Sequence, residues 1–370
     1  MDIPKTSKAM VLEKFCEPSV IREIAIPELG PGDMLVKPVI AGICGTDVHL
    51  ARDELSMHPP TPIIEGHETV ARIIKKPDSI TTDVAGTPVK EGDRIMWAHQ
   101  FCGKCYACKI LQQPYMCLHS KGYGFSNANQ LRGGFAEYEI VTEGTDFVRV
   151  PDSLTDEEAV GAGCAGRTIM SAYEKVYAHG GIKPGDYVVI QGCGPVGLYA
   201  TVVAAQSPAA KVITIDMSEP RLQFSKRWGA TDTVSIKDYP DPAERVAKVR
   251  ELCGGIGANL VVECSGVPSA VNEGLDMMAK TGMYLLVGQT STRTTPIRPN
   301  QIQDLQACVL GSSSADIRHF YRCLKFIEAN RNKYPFADII SDKYKLEDAN
   351  QALEDMRNGV ALKAAIKFED

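Results

Sequence analysis

Two short segments of this chain bring together side chains that could bind a metal ion and move protons. Cys-Gly-Thr-Asp-Val-His begins at Cys44, and Gly-His-Glu follows at residue 66. A thiolate and an imidazole are ligands that Zn²⁺ accepts, while a hydroxyl and a histidine can pass a proton onward. The metal-ligand candidates are Cys44 and His67, and the proton carriers are Thr46 and His49. Any one of them alone would be read as a buried cysteine or a surface histidine. The two segments together favour a zinc site where an alcohol could lose its proton.

A second group of cysteines has the spacing of a closed metal site. The spacing is C-x2-C-x2-C-x8-C, and its members are Cys102, Cys105, Cys108 and Cys117. Four thiolates can surround one tetrahedral Zn²⁺ and leave no position for a substrate, which predicts a structural site. Four unrelated free thiols are the alternative. A zinc ribbon that binds protein or nucleic acid is disfavoured, because the segment is one short lobe in an acidic chain.

A glycine-rich turn follows an apolar strand that ends at Gln191 and opens a helix. Its residues are Gly192, Gly194, Pro195, Val196 and Gly197. This context predicts a dinucleotide-binding turn, with the pyrophosphate at the helix N-terminus. The next strand ends in Asp216, which can accept from a ribose 2′-hydroxyl and would repel a 2′-phosphate, so the expected cofactor is NAD. We expect Arg221 to brace the ribose. A glycine-rich turn in an ordinary βαβ unit is the alternative.

The pattern of apolar residues divides the chain into parts. Residues 7–150 read as short strands separated by Gly, Pro and Asp, with examples at 8–12, 34–40, 69–74 and 135–141. From about residue 154, strands at 186–190, 211–216, 259–263 and 283–287 alternate with helices, which predicts a parallel sheet covered on both faces. Helices at 317–329 and 346–358 and a strand at 362–368 complete the prediction.

Composition excludes several classes of protein. A chain of 370 residues predicts two domains, and a formal net charge of −6 argues against a nucleic-acid-binding surface. We find neither the apolar core of a signal peptide near the start nor an apolar run of membrane-spanning length. Twelve cysteines without an export signal are more typical of metal binding in a reducing compartment than of disulfides. We expect a cytoplasmic protein.

Together these motifs resemble the zinc-dependent medium-chain alcohol dehydrogenases, and the resemblance covers almost the whole chain. It implies an α/β protein with a GroES-like, mainly-β catalytic domain at 1–166 and a Rossmann domain at 167–311. Residues 312–370 would return to complete the catalytic domain. The implied activity is reversible, NAD-linked oxidation of an alcohol, with two zinc ions per chain. A homodimer or homotetramer is expected.

The resemblance also assigns roles that spacing alone leaves open. It makes Cys164 the third ligand of the catalytic zinc, a choice that spacing could not make over other cysteines. It places Glu68 near that metal as a transient ligand and Thr46 and His49 in a proton relay. Further implied roles concern the cofactor: contact with the nicotinamide for Thr168 and Val196, and contact with the phosphates for Lys363.

Two positions depart from the family pattern, and a third position bears on the substrate. Ala71 replaces the last glycine of Gly-His-Glu-x-x-Gly, and Cys117 comes one residue late, with Met116 where a cysteine is expected. We expect a bulge to absorb the shift. Ala98 stands where some relatives have a bulky aromatic residue, which would leave room for a bulky or secondary alcohol.

Three rival functions are weighed against this prediction. A zinc-free reductase of the same fold is disfavoured because both ligand candidates and Cys164 are present. A non-catalytic binding protein is disfavoured because Thr46 and His49 are retained. A polyol dehydrogenase of the same family remains an alternative.

Overall fold

The computed structural model describes residues 3–288 and 292–369, which form two compact units. The first unit comprises Met1–Arg167, Ser314–Arg331 and Phe336–Asp370, and the second comprises Thr168–Ser313 with Asn332–Pro335. The domain ends expected at 166 and 311 differ from these by one and two residues. The short segment at 332–335 belongs to the second unit, although the sequence predicts that all of residues 312–370 complete the catalytic domain.

The elements follow one another along the chain in a mixed order. The strands before residue 150 are β1 (Thr6–Leu12), β2 (Val20–Ala25), β3 (Met34–Gly42), β4 (Ile63–Ile64), β5 (Glu68–Lys75), β6 (Arg94–Trp97), β7 (Glu139–Val141) and β8 (Phe147–Arg149). The later strands are β9 (Tyr187–Gln191), β10 (Lys211–Asp216), β11 (Asp232–Ser235), β12 (Ala258–Glu263), β13 (Met278–Leu286), β14 (Cys308–Gly311), β15 (Asp342–Tyr344) and β16 (Ala364–Lys367). The helices are α1 (Gly45–Ala51), α2 (Tyr106–Lys109), α3 (Asp156–Val160), α4 (Ala165–Ala178), α5 (Pro195–Ala205), α6 (Glu219–Arg227), α7 (Pro242–Leu252), α8 (Ala270–Met277), α9 (Pro299–Leu305), α10 (Ile317–Asn330) and α11 (Ala349–Arg357).

The first unit is built on a seven-stranded sheet. The order is β15-β16-β3-β5-β6-β8, and β7 pairs with the start of β3. Strand β3 is buried along almost its whole length, because its alternate side chains enter two different cores. Leu35 packs with one apolar cluster, while Met34 and Val36 pack with another. A smaller antiparallel sheet, β2-β1-β4, lies beside it in the same unit.

The strand predicted at 135–141 is only partly formed. Residues Glu139–Val141 pair with β3 as β7. Before them, the amide of Phe135 donates to the carbonyl of Glu65, and its own carbonyl accepts from the amide of Met10. The backbone groups of this segment therefore form hydrogen bonds outside a regular ladder. This is why the apolar alternation predicts a longer strand than the one observed.

The second unit contains a six-stranded parallel sheet in the order β11-β10-β9-β12-β13-β14. This is the strand order of a Rossmann fold, in which ligands bind where the order reverses, here between β9 and β12. Helix α5 is buried from Gly197 to Ala204, as expected for a helix that is apolar all round. Among the described residues, no helix combines the length and the apolar character needed to span a membrane.

Candidate active site and metal clusters

Cys44 is held at the junction of β3 and α1. It adopts an extended conformation as the N-cap of α1, and its Sγ accepts from the amide of Thr46 at 3.2 Å. Its own amide donates to Oδ2 of Asp47 at 2.8 Å, which completes a reciprocal capping box. A thiolate at this point also gains from the positive end of the short helix. The local sequence thus fixes the sulfur before any metal binds.

His67 lies immediately before β5 and faces this sulfur. Its Nε2 is 3.3 Å from Sγ of Cys44, and its Nδ1 is 3.2 Å from Oδ1 of Asp47. Burial by itself would lower the pKa of His67, but the buried Asp47 carboxylate outweighs it and raises the pKa to about 10. A carboxylate on the distal ring nitrogen orients a metal-binding histidine and raises its basicity. Asp47 therefore serves both Cys44 and His67, although the sequence analysis gave it no role.

Cys164 completes the cluster from a distant part of the chain. It follows the 3-10 turn Gly161–Gly163, and Gly163 lies so close to Glu68 that a Cβ would come within 3.0 Å of the Glu68 backbone. Donor atoms of Cys44, His67, Glu68 and Cys164 all lie within 4.8 Å of one another. Interaction with the Cys44 sulfur, together with burial, raises the pKa of the Cys164 thiol well above its ordinary value. Two thiols and one imidazole in contact fit a Cys₂His zinc site with an open position.

The structure corrects the role expected for Lys363. This residue precedes β16 as predicted, but its side chain is 1% exposed and its Nζ lies 2.6 Å from Oε2 of Glu68. The same Nζ donates to the carbonyl of Ile43 at 3.2 Å. Burial lowers the pKa of Lys363, but the Glu68 carboxylate outweighs that effect and the pKa is raised. A buried amine paired in this way holds Glu68 beside the metal cluster instead of reaching a cofactor phosphate.

The two predicted proton carriers lie on α1. Thr46 and His49 are three residues apart, a spacing that brings side chains onto neighbouring parts of a helix surface. Both are partly exposed. Nδ1 of His49 is 2.7 Å from Oε2 of Glu54, a residue that the sequence analysis did not consider.

Two aromatic rings adjoin His67. The Phe125 ring stacks on it with 5.5 Å between centroids, and the His99 ring lies 6.4 Å away. His99 accepts at Nδ1 from the amide of Tyr123, and burial lowers its pKa well below the ordinary value, so the ring is neutral. Ala98 is 1% exposed, and the room for a bulky substrate expected beside it stays a prediction.

The four remaining metal-site cysteines converge within one short lobe. Their sulfurs lie within 4.8 Å of one another, in a group made of Cys102, Cys105, Cys108 and Cys117. The backbone amides of Cys108 and Leu118 donate towards Cys105 and lower its pKa to about 6. Sγ of Cys117 accepts from the amides of Cys102 and His119 at 3.3 and 3.4 Å. A 3-10 turn at Pro114–Met116 directly precedes Cys117. The donor set fits a closed tetrahedral zinc site.

In the second unit, the glycine-rich turn has the geometry of a phosphate-binding turn. Gly192 has a φ of +96°, and a Cβ on Gly197 would meet the carbonyl oxygen of Gly192 at 1.8 Å. A Cβ on Gly194 would meet no protein atom within 4 Å, which leaves the backbone there open to a ligand. Pro195 and Val196 form the first turn of α5 and are partly exposed. These features fit a pyrophosphate at the helix N-terminus.

Asp216 ends β10 and faces this turn. Its Oδ2 accepts from the amide of Cys193 at 2.7 Å, and its Oδ1 accepts from the amide of Ser218 at 2.8 Å. The carboxylate is therefore fixed, with lone pairs left for a ribose hydroxyl. Arg221 lies on α6 and Thr168 on α4, and both are partly buried.

Sequence-based reasoning missed several side chains around the metal cluster. Asp47 carries a signal, because an acid three residues after a capping position is typical of a capping box. The pairing of Lys363 with Glu68, the rings of His99 and Phe125, and the contact of Glu54 with His49 depend on burial or turn geometry. Single-sequence patterns do not encode these.

Comparison with known proteins gives concordant matches over both units. Residues 30–152 match the family described as "Alcohol dehydrogenase GroES-like domain", and residues 195–329 match "Zinc-binding dehydrogenase". The chain is 35% identical over 348 residues to the 5-exo-hydroxycamphor dehydrogenase of Pseudomonas putida, covering 93% of this chain and 94% of that protein.

Two further matches extend the comparison. The chain is 31% identical over 276 residues to the L-threonine 3-dehydrogenase of Francisella tularensis, covering 73% of this chain and 74% of that protein. The crystal structure of an alcohol dehydrogenase from Thermotoga maritima superposes with a TM-score of 0.89 at 31% identity, covering 98% of this chain and 100% of that one.

Proposed function

Since this chain belongs to the zinc-binding medium-chain dehydrogenases, which act on CH–OH groups with zinc and NAD(P), we propose that it oxidises a bulky secondary alcohol reversibly to its ketone, with NAD as the hydride acceptor. The observation that carries this proposal is the convergence of Cys44, His67 and Cys164. Their donor atoms lie together in the first unit, directly at the start of the helix that bears Thr46 and His49. Ligands and proton carriers are thus positioned by the same element.

In the proposed catalytic centre, Cys44, His67 and Cys164 would hold zinc, and the metal would supply a Lewis acid for the alcohol oxygen. Asp47 orients His67 from its distal nitrogen. Lys363 holds Glu68 close to the three ligands, where Glu68 could act as a transient ligand. A site with three protein ligands would leave room for the substrate oxygen on the metal. The thiols of Cys102, Cys105, Cys108 and Cys117 would hold a second zinc with a structural role.

The proton of the alcohol leaves through side chains of α1. The Thr46 hydroxyl accepts it and passes its own proton on, and His49 delivers a proton to solvent. His49 suits this last step because its side chain is 36% exposed. Histidine is also the side chain whose ordinary pKa allows proton uptake and release near neutral pH.

For the cofactor we propose that Gly192, Gly194, Pro195 and Gly197 receive the pyrophosphate, with Val196 and Thr168 at the nicotinamide. The preference for NAD rests on Asp216, whose fixed carboxylate would repel a 2′-phosphate. The Asp216→Ala variant tests this: kcat/KM should fall with NAD and rise with NADP. A wild-type preference for NADP would contradict it and would give Arg221 the deciding role.

The substrate class rests on the comparisons and on the surroundings of His67. The relative at 35% identity is named for a hydroxycamphor, which is a bulky secondary alcohol, and the threonine dehydrogenase is named for oxidation of a secondary hydroxyl. The rings of Phe125 and neutral His99 beside His67 favour an apolar substrate over a charged one.

A substrate panel with a metal measurement tests the whole proposal. We expect about two zinc ions per chain by mass spectrometry, and the highest kcat/KM with NAD for borneol-like or cyclohexanol-like alcohols. The comparison substrates are ethanol, 2-butanol, L-threonine and a sugar alcohol. Preference for ethanol would contradict a bulky substrate. Preference for the sugar alcohol would instead support the polyol branch.

We further propose a cytoplasmic homo-oligomer. All twelve cysteines are free thiols, as expected in a reducing compartment. Strand β14 ends the six-stranded sheet, and its Val309 is 41% exposed, so a second copy could pair along this edge. Light scattering on the eluting protein should give the mass of a dimer or tetramer. A monomer at micromolar concentration would contradict the assembly.

A further inference from the structure

The end of α1 has an unusual side-chain contact within a regular backbone motif. Asp53 adopts a left-handed conformation with φ of 58°, its amide donates to the carbonyl of Leu50 at 3.0 Å, and the amide of Glu54 donates to the carbonyl of His49 at 2.9 Å. These two bonds define a Schellman motif around the C-cap residue Arg52, which brings the second residue after the cap against the third residue before it. In this chain, those two residues are Glu54 and His49.

An apolar contact usually accompanies this motif, but here the two residues are joined by a hydrogen bond between an imidazole and a carboxylate. Nδ1 of His49 lies 2.7 Å from Oε2 of Glu54. The other carboxylate oxygen, Oε1, accepts from Nε of Arg52 at 3.0 Å. The hydrogen bond from His49 has the largest lowering effect on the pKa of Glu54, and the hydrogen bond from Arg52 has the next largest. The carboxylate therefore stays ionised.

The orientation of the His49 ring is set by this contact. The Nδ1 edge faces Glu54, beyond the end of α1. The opposite edge carries Cδ2 and Nε2, and Cδ2 lies 4.0 Å from the point where a Cβ would stand on Gly45. That edge therefore faces the first turn of the helix, which also carries Thr46.

We propose that Glu54 is a positioning residue for the proton relay. The inference rests on the proposed function, because it assumes that His49 carries the proton. By accepting from Nδ1–H, Glu54 fixes the neutral tautomer in which Nε2 has a free lone pair on the side of Thr46. A proton released by the Thr46 hydroxyl reaches Nε2 through a bridging hydroxyl or water. The imidazolium is paired with the Glu54 carboxylate, and the Nε2 proton then leaves to water.

The other charged groups around this turn are engaged elsewhere. Helix α11 packs on α1, and there Glu354 pairs with Arg357 at 3.2 Å while Asp355 accepts from the Tyr344 hydroxyl. On the segment after β1, Lys14 pairs with Glu17, and Glu13 pairs with Arg22.

The neighbouring carboxylate provides a matched control. Asp53 pairs with His58, with 2.7 Å between Oδ1 and Nδ1, and lies on the same turn. Asn tolerates a left-handed conformation, so Asp53→Asn removes a charge one residue away without disturbing the backbone. The test compares Glu54→Ala, Glu54→Gln and Asp53→Asn, each alone, and Glu54→Ala also in a His49→Gln background.

Two measurements are made on the purified zinc-loaded enzyme. The first is the tautomer of His49 in neutral form, by NMR of protein with ¹⁵N-labelled histidine, assigned from the signal lost in His49→Gln. The second is the rate of proton release in the first turnover, followed with a pH indicator, together with kcat and KM. The NMR measurement requires neither substrate nor turnover.

We expect the Nδ1–H tautomer in the wild-type protein and in Glu54→Gln, whose amide oxygen can still accept, and a shift towards Nε2–H in Glu54→Ala. Proton release should slow about threefold to tenfold in Glu54→Ala, less than the ~10²–10⁴-fold typical of a direct general base, with KM unchanged. Asp53→Asn should match the wild type. In the His49→Gln background, Glu54→Ala should have no further effect.

The outcomes separate this inference from the function on which it rests. If His49→Gln leaves proton release unchanged, the relay fails, and a role for Glu54 in it fails too. If His49→Gln slows release but Glu54→Ala behaves like Asp53→Asn, only the Glu54 inference is overturned. An Nε2–H tautomer in the wild-type protein would also overturn it.

Discussion

The two cysteine clusters of the first unit are assembled in opposite ways. The cluster of Cys102, Cys105, Cys108 and Cys117 comes from one lobe of 16 residues, and three of its four members are partly exposed. The cluster of Cys44, His67 and Cys164 comes from three separate segments that the sheet and its helices bring together. We call the first the lobe cluster and the second the dispersed cluster. The first can form wherever its lobe folds. The second exists only when the whole unit has folded.

The difference extends to the groups that surround each cluster. Backbone amides surround the lobe cluster and lower the pKa of Cys105, so the chain itself stabilises the thiolate. At the other cluster the Thr46 amide contacts Cys44, but buried charged side chains also adjoin the ligands, where Asp47 faces His67 and Lys363 faces Glu68. A closed set of four sulfurs can only stabilise, whereas three ligands with charged neighbours leave a position for chemistry. The proposed structural role thus goes with ligands that are close in sequence, and the proposed catalytic role with ligands that are far apart in sequence.

Removing one ligand of the dispersed cluster is the strongest test of the difference between the two clusters. Serine is a good N-cap, so Cys44→Ser should keep α1 folded while it loses the sulfur. We expect kcat/KM to fall about 10³-fold or more, because a Lewis acid contributes several kcal/mol to transition-state stabilisation. Zinc content should fall from about two to about one per chain.

Mass spectrometry for zinc, circular dichroism and steady-state rates check this expectation. The control is Cys16→Ser, at an exposed cysteine outside both clusters, which should behave as the wild type. Loss of both zinc ions in Cys44→Ser would mean that the two clusters do not bind metal independently of each other.

The second prediction concerns the buried ion pair beside the dispersed cluster. Lys363→Met leaves the Glu68 carboxylate buried without its partner, and breaking such a pair costs about 3–5 kcal/mol in the free energy of unfolding. The additional change Glu68→Gln should restore part of that loss. Lys14→Met is a matched control, because Lys14 and Glu17 form an exposed pair, and it should leave stability unchanged. Urea unfolding curves of the four proteins give the free energies. Equal curves for Lys363→Met and Lys14→Met would contradict the role given to burial.

The same contrast explains how far the sequence alone could go. The lobe cluster is predictable because its spacing is local, and the parallel sheet is predictable because apolar strands alternate with helices. Cys44 and His67 stand in short local motifs too. Cys164 is far from both in the chain, so spacing could not select it and only the family resemblance did.

Lys363 was assigned wrongly for a related reason. A lysine next to a terminal strand looks like a surface cation in the sequence, and its pairing with Glu68 depends on how β16 adds to β3. Glu54 was missed because its contact with His49 depends on a left-handed residue at Asp53, a conformation that sequence rules expect mainly of glycine and asparagine.

The third prediction separates stability from activity at the lobe. Cys105→Ser removes one of four sulfurs, and zinc bound at a closed site contributes directly to folding. We expect the melting temperature to fall by roughly 5–15 °C, with zinc content near one per chain. At low temperature, kcat per folded molecule should stay within about twofold of the wild type, since the dispersed cluster is intact. Calorimetry and rates at 10 °C check both parts. Loss of activity without a change in melting temperature would reverse the assignment of the two clusters.

The smallest expected effect concerns the link between the dispersed cluster and solvent. His49 stands three residues after Thr46 on the helix that Cys44 caps, and its side chain is 36% exposed. A surface relay contributes at or below the low end of the ~10²–10⁴-fold typical of general acid–base groups, so His49→Gln should slow alcohol oxidation about tenfold. The effect should be largest at low pH, where solvent offers fewer proton acceptors.

External bases provide the decisive measurement for this variant. If His49 only transfers a proton to solvent, imidazole at high concentration should restore part of the rate in His49→Gln and change the wild-type rate little. The Cys105→Ser variant is the control, because its defect lies in stability and no buffer base can repair it. An unchanged pH profile in His49→Gln, or rescue that is equal in all three proteins, would mean that the proton leaves by another route. The dispersed cluster would then keep its ligands but lose its assigned path to solvent.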